Sequence, residues 1–167
     1  SSEARGSCFW VRLPLPAGKA QAEAAVPEQE RPASVVGARL LIVDDNHINL
    51  LVAEGLCRKL GHQCETAESG AEALAVLLSR PAQFDLILMD CEMPVMDGYD
   101  ACREIRRLQD SDSNSITRRT PIIALTAHLG GEFEQMARHA GMDDLVTKPI
   151  RKNTLSNLFS IWLPETE

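Results

Sequence analysis

Three short, nearly continuous apolar runs stand out along the chain. Leu40-Leu41-Ile42-Val43 ends in Asp44-Asp45, Phe84-Asp85-Leu86-Ile87-Leu88-Met89 ends in Asp90, and Pro121-Ile122-Ile123-Ala124-Leu125 ends in Thr126. Runs of this length without polar alternation predict strands buried on both faces. Two weaker strands are expected over residues 62–66 and 144–147. Between the runs the period changes to that of helices. Ile48, Val52, Leu56 and Leu60 recur at every fourth position with Leu51 beside them, and Gly61 stands where such a helix stops. Ser69-Gly70-Ala71-Glu72 reads as a capping box ahead of Leu74 and Leu78. Phe133, Met136, Ala137 and Ala140 share a face before Gly141, and Leu155, Leu158, Phe159 and Trp162 form a last stripe. All these stripes are expected to face the core.

Strand and helix thus alternate five times over about 125 residues, which predicts a parallel sheet covered by helices on both sides. The preceding stretch differs. Residues 17–38 are rich in Ala, Glu, Gln and Pro and poor in large apolar side chains, as in a linker. A polar loop is expected over residues 109–120. Of 167 residues, 44% are hydrophobic and 25% charged, an ordinary globular composition. Seventeen basic against twenty-four acidic residues give a net charge of −7, which argues against a nucleic-acid-binding face. The five cysteines follow no zinc spacing and are expected as reduced, partly apolar side chains. No apolar run approaches the roughly 18 residues of a membrane span.

In an open parallel sheet, ligands gather beyond the carboxyl ends of the strands. The predicted strands deliver Asp44 and Asp45, Asp90, Thr126 and Lys148 to that edge. Taken singly, either acid of the pair could cap a helix, and Thr126 or Lys148 could be surface residues. Together they are a chemical set. Carboxylates from adjacent strands repel one another unless a cation sits among them, and Mg²⁺ suits one to three carboxylates with positions left for water and phosphate. An ionised carboxylate needs no general base to act as a nucleophile, so Asp90 on the central strand is the candidate phosphoacceptor. His47, His62, His128 and His139 are scattered, with surface or capping roles expected.

These residues resemble a known motif set. Asp44-Asp45 after a strand, Asp90-Cys91-Glu92-Met93-Pro94-Val95-Met96-Asp97-Gly98, Leu125-Thr126-Ala127 and Lys148-Pro149 look like the response-regulator receiver family, over residues 39–163. The resemblance implies an α/β, flavodoxin-like (βα)5 doubly wound sheet of strand order 2-1-3-4-5. It implies phosphorylation of Asp90, and Mg²⁺ held by Asp45, Asp90 and the Glu92 backbone carbonyl with help from Asp44. Thr126 and Lys148 would contact the phosphoryl group, and the Lys148–Pro149 peptide would be cis. Glu92 and His128 occupy positions that tune phosphate lifetime in such proteins. One position departs from the pattern: Leu145 stands where receivers usually carry an aromatic switch residue.

Residues 1–16, with Arg5-Gly6-Ser7-Cys8-Phe9-Trp10-Val11-Arg12-Leu13-Pro14-Leu15-Pro16, look like the closing strand of a histidine-kinase ATP-binding domain. With Asn46-His47-Ile48-Asn49 and Gly141-Met142-Asp143-Asp144, the chain resembles the receiver of a hybrid sensor kinase. That reading implies a phosphohistidine donor, a histidine-phosphotransfer partner docking near Ile48 on the first helix, and a cytoplasmic setting. It is compatible with a membrane-anchored parent carrying this domain on the cytoplasmic side. The stretch itself would catalyse only its own phosphorylation and dephosphorylation. Rival readings are a stand-alone response regulator, an aspartyl-phosphate phosphatase (which would want Asp-x-Asp where Glu92 stands) and an unphosphorylated interaction module.

Overall fold

The computed structural model describes residues 37–80, 83–110, 119–128 and 130–163. The expected remnant at residues 1–16, nearly all of the linker and most of the polar loop lie outside them. The elements run β1 (Arg39–Val43), α1 (His47–Lys59), β2 (Gln63–Ala67), α2 (Gly70–Ser79), β3 (Leu86–Asp90), α3 (Gly98–Asp110), β4 (Ile122–Thr126), α4 (Gly131–Ala140), β5 (Asp144–Thr147) and α5 (Lys152–Trp162). The five strands are all parallel, in the order β2-β1-β3-β4-β5. This is the expected fold, with strand limits shifted by a residue or two.

Parallel strands need helical crossovers, and those helices divide the core into two layers. Leu41, Val43, Ile87, Met89, Ile122 and Ala124 point to one face, under α2, α3 and α4. Their alternates Leu40, Ile42, Leu86, Leu88, Ile123 and Leu125 point to the other, under α1 and α5. Each fully buried aliphatic side chain contributes about 1.5–3 kcal/mol, so the unbroken apolar runs follow from the demand for two hydrophobic faces.

The helix ends use local chemistry. At the end of α1, Gly61 adopts φ +91°, its N–H reaches Arg58 O at 3.0 Å, and His62 N–H reaches Cys57 O at 3.2 Å. The glycine closes the helix as expected, since a left-handed residue there costs little only without a Cβ. The Ser69 hydroxyl accepts from Glu72 N–H at 3.1 Å, but the Glu72 carboxylate reaches Glu68 N–H, one residue before the partner of a reciprocal box.

Three of the predicted stripes need correction in part: Met136 on α4 is 48% exposed, and of the large residues expected on α1 and α2 only Leu56, Leu60 and Leu74 pack against the core. Ile48, Leu51 and Val52 on α1 are 69%, 54% and 52% exposed, and Leu78 on α2 is exposed as well. The core is met instead by Leu50, Ala53 and Cys57 on α1 and by Gly70, Ala73 and Leu77 on α2. Where a helix lies flat on a sheet, close approach favours small side chains, and a stripe of large ones misplaces the contact face.

Candidate phosphoacceptor site

Because all strands are parallel, their carboxyl ends share one edge, and the acidic residues meet there. Oxygen atoms of Asp44, Asp45 and Asp90 lie within 4.8 Å of one another. Asp44 is 2% and Asp90 4% exposed, while Asp45 opens to solvent. Lys148, just beyond β5, places its Nζ 2.7 Å from Asp44 Oδ2 and 2.8 Å from Asp90 Oδ2. The peptide from Lys148 to Pro149 is cis.

Burial pushes the Asp90 carboxyl above the usual range, and the Asp44 charge adds to this; hydrogen bonds from Lys148 and from Glu92 N–H (3.2 Å) oppose it. Burial alone would lower Lys148, but its bonds to Asp44 and Asp90 outweigh that and hold it above its ordinary value. One ammonium thus bridges two of the three carboxylates, Asp44 and Asp90. The surplus negative charge, gathered on hard oxygen donors with one carboxylate facing water, suits a small divalent cation. Asp45, Asp90 and Asp44 supply that donor set, with the Glu92 carbonyl on the adjoining loop.

Asn49 was not singled out as a site residue. Its Nδ2 donates to both Asp44 oxygens, at 3.0 and 3.2 Å, and Asn46 N–H donates to Asp44 Oδ1 at 2.9 Å. These bonds fix the carboxylate before any cation arrives. The available signal was spacing, since an Asn five residues after Asp44 falls in the first turn of α1. Asn46, not either aspartate, caps α1 by accepting from Ile48 N–H at 2.9 Å.

The loop after β3 is tightly constrained. Val95 has φ +69° and Met96 N–H reaches Pro94 O at 2.8 Å, a γ-turn in a conformation that β-branched residues avoid. Asp97 caps α3 by accepting from Asp100 N–H at 2.7 Å. Gly98 lies so close beneath that an added Cβ would fall 2.0 Å from Asp90 O. The Asp90 backbone therefore rests directly on a glycine.

Thr126 is fully buried, with its hydroxyl accepting from His128 N–H at 3.1 Å. His128 Nδ1 lies 2.6 Å from Glu92 Oε1, and its ring stacks on Phe133 with centroids 4.8 Å apart. The resemblance named Glu92 and His128 together without placing them in contact; here they touch, joining the loops after β3 and β4. Leu145 packs against the core from β5 and lines a cavity of about 290 Å³ with Ala137, Arg138 and Met142.

A family model described as the response regulator receiver domain matches residues 40–160. The chain belongs to that family. Among curated relatives of this receiver, probable histidine kinase 4 of Oryza sativa subsp. japonica is 41% identical over 135 residues, or 72% of this chain. The matched part is 13% of that relative, so the receiver corresponds to a small portion of a longer protein there. The Mg²⁺-complexed receiver domain of histidine kinase CKI1 from Arabidopsis thaliana is 39% identical with TM-score 0.68, covering 77% of this chain and 94% of that one. The Saccharomyces cerevisiae receiver domain of Ssk1, crystallised with the histidine phosphotransfer protein Ypd1, is 30% identical with TM-score 0.67, covering 76% and 89%.

Proposed function

We propose that this receiver accepts a phosphoryl group from phosphohistidine onto Asp90 and passes it to a histidine-phosphotransfer partner. The observation that carries the reading is the convergence of Asp44, Asp45 and Asp90, two of them bridged by the Lys148 ammonium. An Asp90 oxygen bonds to phosphorus as the N–P bond of the donor breaks, and the bonding pair returns to the imidazole nitrogen. A donor ring protonated on its other nitrogen leaves as neutral imidazole, so this chain need supply no acid. Lys148 and the Thr126 hydroxyl meet the developing charge on the phosphoryl oxygens. Asp45, Asp90 and the Glu92 carbonyl, with Asp44 assisting, would hold Mg²⁺, which would supply further positive charge for those oxygens.

The docking surface adjoins this site. Val52 lines a cavity of about 440 Å³ with Asp44, Asn49, Lys148, Pro149 and Ile150, and Ile48 and Leu51 on the same helix are exposed as well. An apolar patch at the mouth of the site suits a helical partner that presents a histidine. The relatives' names and the sequence of residues 1–38 favour an origin in a hybrid sensor kinase, following the end of an ATP-binding domain and a linker. The domain would then work on the cytoplasmic side of any membrane its parent spans.

Incubation with acetyl phosphate and Mg²⁺, read by intact mass and peptide mapping, tests the chemistry. One phosphoryl group on Asp90, lost in Asp90→Asn and with EDTA, is expected. Labelling elsewhere, or none, overturns the assignment, and none would favour an unphosphorylated interaction module.

A further inference from the structure

One histidine at the edge of the site ties together three parts of the fold. The His128 N–H donates to the Thr126 hydroxyl at 3.1 Å, and that hydroxyl in turn faces the His128 carbonyl at 3.4 Å. On the side-chain end, His128 Nδ1 lies 2.6 Å from Glu92 Oε1. The ring also stacks on Phe133, the third residue of α4, with centroids 4.8 Å apart and planes at 16°. We infer, on the phosphoacceptor reading of Asp90, that His128 relays the state of the Thr126 hydroxyl to α4. A phosphoryl group on Asp90 draws the hydroxyl toward itself, His128 lets go of Glu92 and Phe133, and the start of α4 loosens.

Strand register places the hydroxyl for this exchange. Asp90 pairs with Leu125 on the adjacent strand, so Thr126 stands one residue further along the same edge. Thr126 is fully buried, and both hydrogen bonds of its hydroxyl run to His128. A charge-assisted bond to a phosphoryl oxygen is stronger than a neutral one. Turning toward that oxygen takes the hydroxyl proton from the His128 carbonyl and lengthens the bond from the His128 N–H. The backbone at His128 is then free to shift, and its ring goes with it.

The receiving helix is loosely held. Of the α4 side chains only Ala137 and Ala140 are buried, and the first turn has no side-chain cap. A cavity of about 290 Å³ lies between Glu134, Ala137 and Arg138 of α4 and Leu145 of β5, which leaves the helix room to move. The Gly130 carbonyl accepts from Phe133 N–H at 3.1 Å and from Glu134 N–H at 3.3 Å, and the stack on His128 steadies that turn from outside. Glu92 and His128 are each more than half exposed. Exposed pairs hold weakly, so a small backbone shift parts them.

Hydrogen–deuterium exchange on the full chain in Mg²⁺, with and without acetyl phosphate, tests the relay, with intact mass and peptide mapping reporting phosphoryl occupancy of Asp90. In the occupied wild type, amides of the first turns of α4 should exchange at least about threefold faster, while those late in α1 stay unchanged. Phe133→Leu and His128→Ala cut the stack from opposite ends, and the second keeps the backbone bond to Thr126. Both should start with fast exchange at α4 and lose the response to acetyl phosphate. An Asp90 that takes no phosphoryl group would overturn the phosphoacceptor reading and the relay with it. A labelled Asp90 with α4 unchanged, or a response that persists in either folded variant, would overturn the relay alone. If one variant folds poorly, the other decides.

Discussion

Lys148→Met removes the ammonium that pairs with Asp44 and Asp90 while keeping an unbranched apolar stem. Asp44 and Asp90 then remain buried with no cation between them in a metal-free buffer. Removing one partner of a buried ion pair costs about 3–5 kcal/mol. Proton uptake sets a ceiling on that cost, because the orphaned Asp90 can go neutral. From the ordinary carboxyl value of 3.8, protonation costs about 4 kcal/mol at pH 7 but under about 2 kcal/mol at pH 5. In the variant, the folded pKa of Asp90 stands further above its unfolded value, so the folded state binds a proton that the unfolded state lacks. Stability of the variant relative to wild type must then rise as pH falls from 7 towards 4. Urea unfolding in EDTA should give a loss of about 3–4 kcal/mol at pH 7 and about 1–2 kcal/mol at pH 5, with Mg²⁺ restoring much of it at pH 7. An equal loss at both pH values, or less than about 1 kcal/mol at pH 7, would refute the shared-ammonium argument.

If Asp90 accepts the phosphoryl group as proposed, Gly98→Ala should slow its labelling by acetyl phosphate by at least about tenfold, because the Cβ cannot clear Asp90 O without moving Asp90; unchanged labelling in a folded variant would contradict this. Burial holds the His62 imidazole below its ordinary value against the Asp85 charge, and its nitrogens make no hydrogen bond. Its stabilisation is therefore complete above about pH 6.5 and falls by up to about 1.4 kcal/mol per unit below it; His62→Phe should flatten that slope in urea midpoints. Arg106→Leu leaves Asp143 without its buried partner (2.5 Å) and strips donors from the Gly141 and Thr120 carbonyls. A loss of about 3 kcal/mol is expected in urea unfolding, and a loss below about 1 kcal/mol would show the network to be dispensable.

The sheet was legible because each central strand must be apolar on both faces, which leaves a run that few helices imitate. The chemistry was legible for a related reason. Parallel strands end on one edge, so polar residues that terminate separate runs become neighbours, and Asp44, Asp45, Asp90 and Lys148 could be assembled before any coordinates. The α1 contact face was not legible. Ala53 and Cys57 carry it beside Leu50, and their small size is a consequence of close packing that a search for large aliphatic residues passes over. Arg106 was missed for the opposite reason. A buried arginine reads as surface until partners distant in sequence, here Asp143, Gly141 and Thr120, are brought to it.

The exposed stripe on α1 joins these two lessons. Ile48, Leu51 and Val52 have helical spacing and apolar character, yet the sheet needs only the small residues on the neighbouring face. Apolar side chains left in water beside an acidic site bring no folding stability, so their position calls for a second surface. Asn46 and Asn49, in the same turn, cap the helix and hold Asp44. One helix start therefore orients a carboxylate of the site and presents the apolar patch next to it. Under the proposed phosphotransfer, a partner histidine bound on that patch would approach the edge where Val52 shares a cavity with Asp44 and Lys148, so that recognition and chemistry would adjoin on one helix start.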